Sequence, residues 1–115
     1  MIVLTQRITG EQLFQLEEEL FFDDIMKGVV DISKGLLAVN AELHSDLEAL
    51  LLALGSNQKD LYGINILADT YETEFDSLIN PPRNREAGFP RAGRTVADPA
   101  ARKKIEEVIN TWIDR

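Results

Sequence analysis

The only histidine of the chain, His44, stands in Asn40-Ala41-Glu42-Leu43-His44-Ser45-Asp46, among closely spaced carboxylates. An imidazole that titrates near neutral pH could act there as a general base, or join Glu42, Asp46 or Glu48 as a metal ligand. Glu48 follows His44 at the i+4 position, so both fit one face of a helix. No specific ligand spacing accompanies them, however, and Ser45-x-x-Glu48 equally reads as the capping box of a starting helix. The plain reading is a helix-start or surface histidine, with no metal site.

A second group is cationic. Arg83, Arg85, Arg91 and Arg94 surround Phe89 in a stretch from Asn80 to Ala97 that also holds three of the four prolines. Guanidinium groups bond carboxylate or phosphate in pairs, so this set could hold an anionic ligand, a nucleic-acid strand or an acidic protein surface. The plain alternative is a solvated excursion whose arginines pair with the protein's own carboxylates. The stretch runs for about 18 residues where compact domains commonly use about five, and loops of that length are often functional. Gly28, Gly35, Gly55 and Gly63 are too dispersed to cradle a phosphate, and Ser33, Ser45, Ser56 and Ser77 stand in no Gly-x-Ser-x-Gly elbow. Nothing in the chain calls for a cofactor.

Composition narrows the classes. With 115 residues, 44% hydrophobic and 28% charged, the chain reads as one globular domain, 1–115. No apolar run nears the roughly 20 residues that span a bilayer, and no signal peptide opens the chain, so a cytoplasmic setting is expected. The absence of cysteine excludes disulfides, thiolate zinc sites and cysteine nucleophiles. The net charge of −8 argues against general nucleic-acid binding, although it is unevenly spread. Residues 1–80 carry 15 acidic and 4 basic side chains, whereas residues 81–115 carry 5 and 8. Glu17, Glu18, Glu19, Asp23 and Asp24 form an acidic surface that either keeps the protein soluble or docks a basic partner.

These groups need elements to hold them. Ile2-Val3-Leu4 has strand character, and Thr9-x-x-Gln12 is a capping box opening a helix over 10–21, with Leu13, Leu16 and Leu20 as its stripe. Residues 25–32 and 35–39 form a β-hairpin through Ser33-Lys34-Gly35. Leu43, Leu47, Leu50, Leu51 and Leu54 make a second helix that Gly55 terminates. Strands over 61–67 and 74–79 follow, joined by 68–73, and then the 80–97 loop. Asp98-Pro99 caps a last helix with an Ile105, Val108, Ile109, Trp112 stripe. The order is β-α-β-β-α-β-β-loop-α, an α+β fold with three helices on one face of a mostly antiparallel sheet of about four or five strands.

The stretches Val29-Val30-Asp31-Ile32-Ser33-Lys34-Gly35, Ala41-Glu42-Leu43-His44-Ser45-Asp46 and Gly55-Ser56-Asn57-Gln58-Lys59-Asp60-Leu61-Tyr62-Gly63-Ile64-Asn65 resemble an uncharacterised family of small bacterial and archaeal proteins. The similarity continues through Phe75 to Arg83 and Asp98 to Ile109. That family carries only a domain-of-unknown-function label, so the resemblance implies a fold and no activity. A second likeness, from Val29 through Leu54-Gly55 to Ile66, is to XisI-type excision-factor proteins, and it implies a similar hairpin–helix–strand unit beside a partner protein.

Charged surfaces without a catalytic constellation point to a non-enzymatic interaction module. A sheet covered on one side leaves its other face to a second copy, so a homodimer is expected. The rival reading is a small-ligand binder or enzyme, with a pocket between the 80–97 loop and the sheet, the arginines on an anion, and Asn40, His44 or Asn65 as polar groups. A third, nucleic-acid association through the basic loop, conflicts with the acidic remainder.

Overall fold

Alternation of apolar residues fixes the centre of the molecule. In a computed structural model of the chain, which describes residues 1–16, 20–77 and 95–115, five strands form one antiparallel sheet in the order β1-β4-β3-β5-β6. They are β1 (Ile2–Val3), β3 (Ile25–Asp31), β4 (Leu36–Val39), β5 (Leu61–Leu67) and β6 (Thr73–Ser77). The helices are α1 (Gly10–Leu13), α2 (His44–Ala53) and α3 (Pro99–Trp112). The fold is therefore α+β, and among the described residues its strand and helix order follows the one read from the sequence. Among the described residues, no helix is long and apolar enough to cross a membrane.

The β3–β4 hairpin forms as expected, with Val30 opposite Leu37 and Asp31 opposite Leu36. Gly35 sits in the turn at φ +70°, a conformation that costs other residues a clash of Cβ with the following carbonyl. Asp31 explains why the turn closes here. Its side chain is fully buried, and its Oδ1 accepts the backbone N–H groups of Ser33 (2.9 Å) and Lys34 (2.8 Å). Oδ2 accepts the Ser56 hydroxyl at 2.6 Å, tying the segment after α2 to the same carboxylate.

The helices lie on both faces of the sheet, which corrects the expectation of a single covered face. Met26, Val30, Leu37, Val39, Ile64 and Ile66 share one core with Ile105 and Ile109 of α3 and with Leu13 of α1. Their neighbours along the strands, Val29, Ala38 and Leu61, share a second core with Leu47 and Leu51 of α2. Because successive strand residues point to opposite faces, apolar groups at odd and even positions of β5 create two surfaces that each need a cover. The chain supplies both covers, so no bare face requires a second copy.

The first helix is shorter than the stripe suggested. Its capping box is present, with Gln12 N donating to Thr9 Oγ1 at 3.1 Å and Thr9 N to Gln12 Oε1 at 2.9 Å. After Leu13 the chain makes tighter bonds, Gln15 N to the Gln12 carbonyl and Leu16 N to the Leu13 carbonyl, and leaves the helix. Phe14, Leu16 and Leu20 still pack on the first core. At Phe14 and Leu16, apolar spacing that looked helical is thus satisfied by turns beyond the regular helix. A pairing with no local signal closes the ends: β2 (Ile8–Thr9) runs parallel to β7 (Ile113–Asp114). The α3 start matches expectation, with Asp98 Oδ1 accepting the Ala100 N–H at 3.0 Å and Pro99 in the first turn.

The Asp31 carboxylate can be tested directly. Asp31→Ala strands two backbone donors and the Ser56 hydroxyl, and should lower stability by about 3 kcal/mol, read as a shift in urea midpoint at unchanged slope. A variant as stable as the parent would show that the turn does not depend on this group.

Candidate functional site

Where α2 begins, a row of polar side chains crosses the sheet. Lys27 in β3 stands opposite Asn65 in β5, and Asn65 opposite Glu74 in β6. Asn40 continues the row beyond β4, its N–H donating to the Lys27 carbonyl at 3.0 Å. Asn40 turns the chain from the strand toward α2 at φ +67°, a left-handed conformation that asparagine tolerates better than most residues. Its Oδ1 accepts the Phe21 N–H at 3.4 Å.

His44 is the first residue of α2 and lies over this row. Its Nε2 donates to the Ile64 carbonyl at 2.9 Å, which leaves Nδ1 as the lone-pair nitrogen of the neutral ring. Burial pushes the His44 pKa down, and the Lys27 ammonium pushes the same way, while the Ile64 carbonyl and the Asn65 side chain oppose them. The balance favours neutral imidazole. Lys27 itself donates to the Glu42 carbonyl at 2.7 Å and sits 4.9 Å from the centre of the Phe22 ring.

Asn65 is only 8% exposed, and its Nδ2 donates to Glu74 Oε1 at 2.8 Å. Its Oδ1, like Glu48 Oε2, is buried and has no hydrogen-bond partner. Unsatisfied buried acceptors are uncommon and ask for a donor from water or ligand. The arrangement can accept hydrogen bonds and hold a neutral base. It does not assemble a metal centre: among the described residues no three His, Asp or Glu side chains converge as ligands do.

Of the expected polar groups, His44 and Asn65 come together, with Asn40 one strand away. Glu48 was read beside His44 at the i+4 position, whereas Lys27 and Glu74 were not anticipated. Their link is a cross-strand register, which no single stretch of sequence displays. The Ser45-x-x-Glu48 capping box does not form, because the N-cap is Leu43, which makes no side-chain capping bond, and Ser45 already lies within the first turn.

The other expected sites fare differently. Arg83, Arg85, Phe89, Arg91 and Arg94, with most of the 80–97 loop, lie outside the described residues, as do Glu17, Glu18 and Glu19 and the end of the strand expected over 74–79. The last loop residues are held: Val96 is buried and its N–H donates to the Phe75 carbonyl at 2.8 Å. Asp23 and Asp24 are exposed and line, with Leu67, Ala68 and Asp69, an open hollow of about 530 Å³ at the end of the sheet.

A further surface lies on the back of α2. Leu47 and Leu51 are buried, yet Leu52 remains 39% exposed on the opposite side beside the exposed Ala49 and Ala53, and Leu43 and Leu54, which flank the two ends of the helix, are 53% and 57% exposed. A helix with apolar residues on all sides is ordinarily an interior helix. The signal was present in the sequence as more leucines than one stripe can use.

The lowered His44 pKa gives a signed expectation. The folded state binds its proton less readily than the unfolded chain, so the histidine's contribution to stability is whole above about pH 6.5 and declines as pH falls from there toward the lower folded value. In urea titrations between about pH 5 and 8, the stability difference between the parent and His44→Gln should shrink as the solution is acidified. A difference that stays constant with pH would mean that the ring is not held neutral by the fold.

No curated protein and no solved structure matches this chain, so the XisI-type likeness gains no support. One family does match, over residues 2–112, under the description "Protein of unknown function (DUF5674)", and the chain belongs to that family.

Proposed function

We propose that the protein is a non-enzymatic interaction module that self-associates through the outer face of α2. The observation that carries this reading is the solvent-facing Leu52, with the exposed Ala49 and Ala53 beside it, on a helix whose opposite side, Leu47 and Leu51, is already satisfied by the sheet, and the exposed Leu43 and Leu54 that flank its two ends. A face this small belongs with weak, exchanging interfaces, with Kd values of about 10–100 µM. That range suits a module whose assembly depends on its concentration.

Sedimentation equilibrium over about 5–200 µM is expected to show a monomer–dimer equilibrium, and the double substitution Leu52→Glu, Leu54→Glu to shift it to monomer without lowering Tm. A parent chain that stays monomeric at the top of that range would end this reading.

A second reading rests on Asn65 Oδ1 and Glu48 Oε2, buried acceptors beside the neutral His44 that a donor-bearing small ligand would satisfy. If it holds, Asn65→Leu should abolish the thermal shift produced by such a ligand in a screen of amine- and amide-bearing metabolites. A screen that leaves Tm unmoved for the parent chain would remove its support. The arginine stretch, the other half of the ligand reading, supports it only through the anion chemistry of its residues.

A further inference from the structure

The partner for the α2 face can be narrowed from its charges. Near the N-terminal end of the helix stand Glu42 and Asp46, both exposed. At the C-terminal end stands Lys34, whose Nζ donates to the Gly55 carbonyl at 2.7 Å and so sits over the last turn. The acidic end and the basic end lie on opposite sides of Ala49, the exposed residue midway along the helix. A surface with that polarity complements itself when turned end for end.

We propose that the occupant is a second copy of the chain, bound so that the two α2 helices pack antiparallel about a two-fold axis passing beside Ala49. The inference rests on the self-association proposed above and adds its geometry. Under that symmetry Glu42 of one copy approaches Lys34 of the other, twice, while Asp46 approaches Ala53. A parallel arrangement would instead set Asp46 beside Asp46 and Lys34 beside Lys34, opposing like charges at both ends. Alanine at the crossing point lets the axes pack at about 9.5 Å, within the range of helix packing distances. Each Ala49 Cα, displaced about 2.3 Å from its own axis toward the other, then lies about 5 Å from its mate, within disulfide range.

The chain contains no cysteine, so single cysteines report on this geometry without background. Ala49→Cys should form a disulfide-linked dimer under mild oxidation. Asp46→Cys alone should not, because its two copies would be separated by about 9 Å along the helix axis, but an equimolar mixture of Asp46→Cys and Ala53→Cys should cross-link. Glu11→Cys, exposed on α1 across the sheet, serves as the collision control and should stay monomeric on the gel.

Sedimentation of the unmodified chain separates the two levels of the argument. A dimer in solution together with the Ala49 and mixed Asp46–Ala53 cross-links supports the antiparallel pair. A dimer in which Asp46→Cys links to itself, or in which Ala49→Cys links no faster than Glu11→Cys, overturns this geometry and leaves self-association standing. A monomer overturns both.

Discussion

One buried carboxylate organises the sheet and both of its helical covers. Asp31 closes the β3–β4 turn through two backbone donors and reaches Ser56 beyond the end of α2. The turn that it shapes then serves both sides of the sheet. Lys34 donates to the Gly55 carbonyl at the end of α2, and the Gly35 carbonyl accepts the Trp112 indole N–H of α3 at 2.7 Å. A buried charge is tolerated only where its lone pairs are occupied, and here three donors occupy them. Removing the carboxylate therefore disturbs the hairpin and the anchoring of two helices at once.

That arrangement explains why the sheet needs no second copy to complete it. Strands apolar on alternating faces make two cores, one closed by α1 and α3 and the other by α2. The bare face imagined from the sequence does not exist, because the order of elements along the chain says nothing about which side of the sheet a helix crosses. The apolar surplus moves outward by one layer instead, from the sheet to the back of α2.

What was legible followed from local rules. Gly35 and Gly55, at φ +70° and +99°, marked the hairpin and the end of α2 because only a residue without Cβ adopts those angles freely. Thr9-x-x-Gln12 and Asp98-Pro99 marked helix starts because each satisfies orphan N–H groups by itself. The length of α1 was misread, since i, i+3, i+4 spacing also suits a turn that packs Phe14 and Leu16 on the core. The β2–β7 pairing joins residues more than a hundred positions apart and has no local mark. Asp31 was legible in principle, since aspartate two and three residues ahead of Ser33 and Lys34 is the pattern of a side chain that caps its own turn. The convergence of His44 with Asn65 was not, because it depends on α2 crossing β5 at one place.

The clamping of α2 ties the polar row to the apolar surface. At its first residue His44 bonds the Ile64 carbonyl, and at its end the Gly55 carbonyl takes Lys34, so directional bonds to the sheet hold both ends. Between them only Leu47 and Leu51 are fully buried. A helix gripped mainly by a narrow apolar contact could roll to hide Leu52, at the cost of exposing Leu47, and polar anchors at both ends oppose that rotation. The neutral state of His44 belongs to the same logic, since a charged ring in that partly buried place, beside Lys27, would weaken the anchor at the helix start. The chemistry under the helix thus fixes which side chains face outward, and the outer leucines stay presented because the inner contacts leave them nowhere else to go.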